Sequence, residues 1–211
     1  MKITSVIDTN KSLVSVYIEE NDGTEVKKEI LFREYQKACN GVEVDASVQR
    51  IGRLPEGFID GGVDGITFEA IIKVPGGKRL FNYLGTEYYV PFPDMLFHFI
   101  AQKNRPSNTR TWFMDEKGVL YHYPFGNVYK DAAICWGGNA LPRIDCLKDF
   151  DKLVSLFYSA STNDDLYEQV ETKIKRKKVK LSQRELLEYV SKKDVFPMEL
   201  LKPFGMSADK I

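Results

Sequence analysis

The chain contains 211 residues, 43% of them hydrophobic and 28% charged, so it can bury a substantial core and is not expected to be disordered overall. Its 30 Lys and Arg residues are balanced by 30 Asp and Glu residues, which gives no general reason to expect binding to nucleic acid or to an anionic membrane. It has no apolar run of membrane-spanning length, and the segment Met1–Asp8 loses its apolar character too early for a signal peptide.

Three cysteines, Cys39, Cys135 and Cys146, occur at wide spacings. An odd number of cysteines so far apart fits neither a disulfide framework nor a zinc site. We therefore predict a cytoplasmic protein with reduced thiols and without a metal or other cofactor. Under those conditions a cysteine can act as a nucleophile.

Strand and turn signals dominate the first half of the chain. We predict strands over 3–7, 13–19 and 25–32, with a turn at Asn21-Asp22-Gly23, and a short helix over 33–39. Glycines punctuate residues 41–65, which favours loops and short extended pieces there. Four further strands with close turns predict an antiparallel meander, over 66–74, 79–84, 87–90 and 95–100.

The second half changes from strands to helices. The polar residues 103–110, which include Pro106, predict a loop, and the turn at 115–118 predicts a hairpin between 111–114 and 119–123. Residues 124–146 are irregular, and helices are predicted over 147–158, 163–176 and, after the capping pattern of Ser182 and Glu185, 183–193. Strands followed by helices indicate an α+β fold.

The segment from Tyr121 to Cys135 resembles the active-site segment of ubiquitin-conjugating enzymes. In that family a His-Pro-Asn tripeptide precedes the catalytic cysteine, which usually follows an isoleucine. Asn127 lies eight residues before Cys135, which is the family's spacing, and Ile134 precedes the cysteine. The residues Pro91-Phe92-Pro93 are similar to a proline-rich strand of the same family.

Three features depart from the usual family pattern. Phe125 and Gly126 stand where the family has histidine and proline, an insertion covers about residues 101–118, and Trp136-Gly137-Gly138-Asn139 replaces an aliphatic run after the cysteine. These features resemble a prokaryotic branch, the protein B group of the PRTRC plasmid-associated cassettes. Members of that group are encoded beside ThiF-like activating enzymes, ubiquitin-like proteins and JAB-type peptidases.

The resemblance covers about residues 50–160 and implies a UBC-like domain there, an antiparallel β-meander with flanking helices. We then expect residues 1–49 to form a β-rich N-terminal extension and residues 161–211 a helical C-terminal extension. It further implies that Cys135 accepts a ubiquitin-like C-terminus as a thioester and passes it to an amine, with Asn127 stabilising the oxyanion. The expected partners are a ThiF-like activating enzyme, a ubiquitin-like protein and a JAB-type peptidase, with no membrane and no nucleic acid.

Several alternatives remain open at this stage. The protein could be an inactive binding module or plasmid-cassette adaptor of the same fold, or a cysteine hydrolase that uses Cys135 and His122. Asn127 can equally be a turn residue. His122 and Trp136 are possible accessory residues, although a hydrogen-bonded strand histidine and a packing tryptophan are the simpler interpretations. The basic run 173–180 predicts a solvated face, with binding to an acidic partner or to DNA as the less favoured reading.

Overall fold

A computed structural model describes residues 2–7, 13–39, 53–174 and 177–211. The chain divides into two compact units, Met1–Gln49 and Arg50–Ile211. The separation of a 50–160 domain from a 161–211 extension stays a prediction.

The N-terminal unit is a three-stranded antiparallel sheet followed by a helix, as its sequence predicts. Its elements are β1 (Lys2–Ile7), β2 (Leu13–Glu19), β3 (Glu25–Leu31) and α1 (Phe32–Cys39), with strand order β1-β2-β3. The β2–β3 turn contains Gly23 at φ +85°, a conformation that glycine adopts without steric cost. The predicted turn signal therefore lies where the chain reverses.

A six-stranded sheet forms the centre of the second unit. Its strands are β4 (Phe58–Asp64), β5 (Thr67–Val74), β8 (Asp94–Gln102), β9 (Arg105–Met114), β10 (Val119–Tyr121) and β13 (Pro203–Ser207), in the order β13-β10-β9-β8-β5-β4. Every pairing in this sheet is antiparallel. The hairpin β6 (Gly77–Tyr83) and β7 (Thr86–Phe92) is inserted between β5 and β8 and forms a separate two-stranded sheet.

The sheet buries a different cluster on each face because successive side chains of a strand point to opposite sides. On one face, residues such as Ile72, Phe97, Phe99 and Phe113 join the main core, in which aromatic rings pack closely. The opposite face carries a smaller cluster of Ile71, Leu96, Trp112, Met114, Leu120 and Ala132, against which Phe204, Ala208 and Ile211 pack.

Residues 101–118 form part of the central sheet, so the prediction of a loop over 103–110 is wrong, whereas an insertion relative to the resembled family stays a prediction. The strand β9 begins at Arg105 and pairs along its length with β8. The ladder shifts between Ile100 and Ala101, and Ala101 then pairs with Pro106. Proline lacks an N–H group and is tolerated at such an irregularity near the start of a strand. The proline therefore marked a strand end and not a loop.

The helices are α2 (Phe150–Ser159) and α3 (Gln183–Val190), with short 3-10 helices at Leu147–Asp149, Met198–Leu200 and Ala208–Lys210. The Ser182 hydroxyl accepts a hydrogen bond from Glu185 N–H, and the Glu185 carboxylate accepts from Ser182 N–H, as the capping pattern predicts. The predicted helix over 163–176 is wrong. Part of it forms β11 (Val170–Ile174), which pairs with β12 (Lys177–Leu181), because alternating inward and outward residues suit a hairpin.

The fold is α+β and rich in antiparallel sheet, as predicted. In the part of the chain that the structure describes, no helix has the length and apolar character needed to cross a membrane. Strands β4 and β13 were not predicted. The main core includes Leu181, Leu186, Leu187 and Val190, so residues after 160 pack with the preceding sheet.

Candidate active site

Asn127 and Cys135, eight residues apart, form an opposed pair in a tight hairpin. Cys135 N–H donates to Asn127 C=O at 2.9 Å, and Tyr129 N–H donates to Ala133 C=O at 2.8 Å. The turn closes where Ala132 N–H donates to Tyr129 C=O at 2.9 Å, with Ala132 in the left-handed region at φ +68°. The two candidate residues therefore face each other across the arms of one hairpin.

The arm that leads into Cys135 also pairs with strand β9. Ala133 forms a bridge with Arg110, Ile134 N–H donates to Thr109 C=O at 2.9 Å, and Thr111 N–H donates to Ala132 C=O at 3.0 Å. The backbone on both sides of the turn is thus held by hydrogen bonds. Cys135 extends from a rigid sheet edge, a setting that can hold a reacting atom in a fixed position.

Cys135 is partly exposed, as a nucleophile requires, and its sulfur has a hydrogen-bond donor beside it. The Tyr129 hydroxyl lies 3.8 Å from Cys135 Sγ and is oriented to donate to it. The hydrogen bond to Cys135 and the proximity of that sulfur raise the pKa of the Tyr129 phenol above its usual value. Sequence reasoning did not single out Tyr129. Its place in the turn of the Asn127–Cys135 hairpin is the signal that could have found it.

Asn127 is 7% exposed, and its side-chain oxygen Oδ1 has no hydrogen-bond partner among the described residues. Buried polar atoms are rarely left unpaired in proteins, because each costs about 1–3 kcal/mol. The amide is therefore not fully used in bracing the loop. The unpaired atom is the amide oxygen, which can accept a hydrogen bond but cannot donate one.

Phe125 and Gly126 take a structural role where the resemblance would place histidine and proline. Phe125 is 1% exposed and packs at 4.7 Å, between ring centroids, from Phe81. Gly126 N–H donates to Gln183 Oε1 at 2.6 Å, a bond that proline could not make. A Cβ at Gly126 would lie 2.0 Å from Asn163 O. These contacts fix the loop immediately before Asn127.

Gln183 has a completely buried side chain and joins the start of helix α3 to this loop. Besides accepting from Gly126, its amide donates from Nε2 to Asn163 O at 3.1 Å. Sequence reasoning missed Gln183, because only the fold brings residue 183 to residue 126. A glutamine at the first turn of a helix is otherwise an ordinary exposed residue.

The other candidates lie away from the sulfur or in packing positions. His122 contacts Phe204, with ring centroids 4.9 Å apart, and burial together with the positive charge of Lys202 lowers the pKa of His122. Trp136 donates from Nε1 to Thr109 Oγ1 at 2.9 Å. Among the described residues, neither His122 nor Trp136 forms a hydrogen bond with Cys135. The hydrolase interpretation therefore has no supporting contact in this structure.

Of the remaining cysteines, Cys146 is partly exposed and lies before the first 3-10 helix, where its Sγ contacts Asp149 Oδ2 at 3.6 Å. The side chain of Cys39 lies outside the described residues, although the helix that contains it is described. We predict that Cys39 and Cys146 react more slowly with thiol reagents than Cys135. Most of the basic run 173–180 lies on β11 and β12, in which Lys178 and Lys180 are exposed.

Two recesses flank the turn of the hairpin. A cavity of about 250 Å³ is lined by His122, Val128, Tyr129, Leu166, Glu168 and Lys202, among others. A second recess is lined by Asp131, Ala133 and Asp165 together with Tyr129, Lys130 and Glu168. The ion pair between Lys130 Nζ and Glu168 Oε1, at 2.5 Å, joins the turn to the opposite wall. Cys135 lines neither recess, so both lie at the turn of the hairpin and not at the sulfur.

Comparison with known proteins assigns the chain to a family. Residues 79–204, more than half of the chain, match the family described as prokaryotic E2 family D. The chain belongs to this family, and an E2-like function follows in the broad sense. A comparison with curated proteins gives no match, and a comparison with solved structures gives none either.

Proposed function

We propose that this protein is a ubiquitin-conjugating-type carrier with a UBC-like fold, and that Cys135 accepts the C-terminus of a ubiquitin-like protein as a thioester. The observation that carries the proposal is the hairpin in which Cys135, partly exposed, pairs with Asn127 across the family's eight-residue spacing. The matched family, residues 79–204, includes both residues. Cysteine suits the reaction because its thiolate is both a good nucleophile and a good leaving group.

Two transfer steps make up the reaction. In loading, the Cys135 thiolate attacks the thioester carbonyl carried by an activating enzyme, forms a new S–C bond, and releases the thiolate of that enzyme. In discharge, an amine attacks the Cys135 thioester, an amide bond forms, the amine loses a proton to solvent, and Cys135 leaves as a thiolate. During discharge, negative charge develops on the carbonyl oxygen of the Cys135 thioester, and an amide donor beside that thioester can stabilise it.

Asn127 is the proposed donor to that oxygen during discharge. The assignment rests on the position of Asn127 directly opposite Cys135 in the hairpin and on the amide Nδ2 group, which can donate a hydrogen bond to an oxyanion. Phe125 and Gly126 then replace the usual histidine and proline by packing and by the bond to Gln183. If these contacts hold the loop, the absence of the usual histidine and proline is compatible with conjugating activity.

The partners are part of the same proposal. Similarity to the protein B group of PRTRC cassettes suggests a ThiF-like activating enzyme, a ubiquitin-like protein and a JAB-type peptidase encoded nearby. Membership of family D supports the E2-like class, and the cassette assignment rests on the residue pattern around Cys135. Neighbouring genes for all three partners would support it.

A trapping experiment tests the proposal. The full chain is incubated with the ThiF-like enzyme, the ubiquitin-like protein and ATP, and adducts are separated with and without reducing agent. Wild type should give a thiol-sensitive adduct, and Cys135→Ser should give a thiol-resistant ester or none, because the serine oxygen is a poorer leaving group than sulfur. Cys146→Ser is the matched control and should load like wild type. Normal loading of Cys135→Ala would refute the proposal.

A further inference from the structure

Tyr129 is held in place by the hairpin that carries the reactive cysteine. Its N–H and C=O groups are both used, the first with Ala133 at 2.8 Å and the second with Ala132 at 2.9 Å. Although 48% of the residue is exposed, its Cα position is therefore fixed. From that position its hydroxyl reaches Cys135 Sγ at 3.8 Å.

The turn that orients Tyr129 is anchored on the far side of the sheet. Ala132 is 3% exposed and belongs to the cluster formed with Leu96 and Trp112. Its left-handed backbone, at φ +68°, is uncommon for a residue other than glycine and persists when the surroundings hold it. The backbone from which the Tyr129 side chain extends is thus held by buried packing at Ala132.

We propose that Tyr129 is a catalytic residue whose hydroxyl donates a hydrogen bond to the Cys135 thiolate. The proposal rests on the proposed function and extends it, because the thiolate is the nucleophile in loading and the leaving group in discharge. A hydrogen bond to a charged group is stronger than one to a neutral group, so the phenol favours the thiolate over the thiol. The phenol keeps its proton throughout both steps.

The raised pKa of the Tyr129 phenol agrees with this arrangement, because a donor beside a sulfur anion loses its own proton less readily. The proposed roles of Tyr129 and Asn127 give different kinetic signatures. Loss of the phenol should slow loading and discharge together, since both involve the thiolate. Loss of the Asn127 amide should slow discharge alone.

Alkylation of Cys135 by iodoacetamide tests the contact without any partner protein. The reaction is followed by mass spectrometry of the Cys135 peptide in wild type and in Tyr129→Phe, with the Cys146 peptide as internal reference. Without the hydrogen bond to the thiolate, alkylation of Cys135 is expected to be about threefold slower at pH 7.

Tyr121→Phe is the matched control, since it removes a phenol hydroxyl that donates to Asp115 and not to Cys135. Its Cys135 alkylation should equal that of wild type. Unchanged or faster alkylation of Tyr129→Phe at pH 7 would overturn the proposal, and faster reaction would mean that the phenol only covers the sulfur. Slowed alkylation in a protein that never forms the thioester would instead refute the proposed function, and with it the catalytic role.

Discussion

Asn127 and Cys135 lie on opposite arms of one hairpin, yet the proposed mechanism assigns them to different steps. The cysteine is needed for loading, because it is the acceptor. The asparagine is needed when an amine attacks and the carbonyl oxygen gains charge. The roles of the two side chains can therefore be separated experimentally, although a backbone hydrogen bond of 2.9 Å links the two residues.

Asn127→Ala should leave loading intact and slow discharge by about 100- to 1000-fold, the usual loss when one oxyanion donor is removed. A single-turnover assay with purified activating enzyme and ubiquitin-like protein measures both steps. Asn139→Ala is a suitable control, because Asn139 lies four residues beyond Cys135 and its amide donates to Trp136 C=O. An equal decrease in both steps, with lower thermal stability, would assign Asn127 to bracing the loop.

His122 predicts a pH dependence of stability. Because burial and Lys202 lower its pKa in the folded protein, protonation is opposed there more than in the unfolded chain, where the value is about 6.5. The unfolded state then binds more protons, so the free energy of unfolding should fall as pH decreases through about 6.5. His122→Gln should show a smaller fall between pH 7 and pH 5.5 in denaturant titrations. Identical pH profiles would contradict this.

The sequence predicted the relation between the two main site residues but not their neighbours. The spacing of Asn127 and Cys135 is visible in the sequence. In a tight hairpin this spacing places the two residues opposite each other. The contact of Tyr129 with the sulfur depends on the left-handed backbone of Ala132, and that of Gln183 with Gly126 joins positions far apart in the chain. The first contact is signalled only by the place of Tyr129 in the hairpin turn, and the second leaves no local pattern in the sequence.

At the scale of elements, the site loop is held by helix α3. Gln183, at the first position of that helix, accepts from Gly126 N–H and donates to Asn163 C=O. The capping box of Ser182 and Glu185 fixes where the helix begins and so where the amide lies. The position of Asn127 thus depends on a helix that follows it by more than 50 residues.

Gln183→Leu should destabilise the protein by about 1–3 kcal/mol, because Gly126 N–H and Asn163 C=O lose their partner in a buried setting. Loading and discharge should both slow, since the loop before Asn127 loosens. Thermal unfolding and the single-turnover assay provide the measurements. Gln102→Leu, at an exposed position at the end of β8, should change neither. A Gln183→Leu protein of unchanged stability would show that the bridge is dispensable.

Elements with strong local signals were predicted and those that depend on partner strands were missed. The β2–β3 turn and helix α3 have turn and capping residues at the expected places. Strand β4 was missed because Gly61 and Gly62 suggest a loop. In the structure Gly61 lets β4 approach the backbone of β5 closely, because a Cβ at this position would lie 2.2 Å from Glu69 O. Strand β13 was missed because Pro203 signals a break, yet proline is accepted at the start of an edge strand.

At the scale of the whole molecule, the division at residues 49 and 50 suggests a direct test by truncation. A fragment of residues 50–211 should unfold cooperatively and load like the full chain, because that unit contains the complete sheet and the site. A fragment ending at residue 160 should fail to fold, because it loses Leu186, Leu187 and Val190 from the main core. Cooperative unfolding of the 50–160 fragment would establish the C-terminal segment as a true extension.

The central claim is that Cys135 carries the modifier, and mapping the adduct on the wild-type chain tests it most directly. After incubation with the activating enzyme, the ubiquitin-like protein and ATP, the intact mass should increase by the mass of the modifier less one water. Fragmentation should place the link at Cys135, and a thiol reagent should remove it. An adduct on Cys39, Cys146 or a lysine alone, or no adduct under conditions in which the activating enzyme itself is charged, would contradict the account.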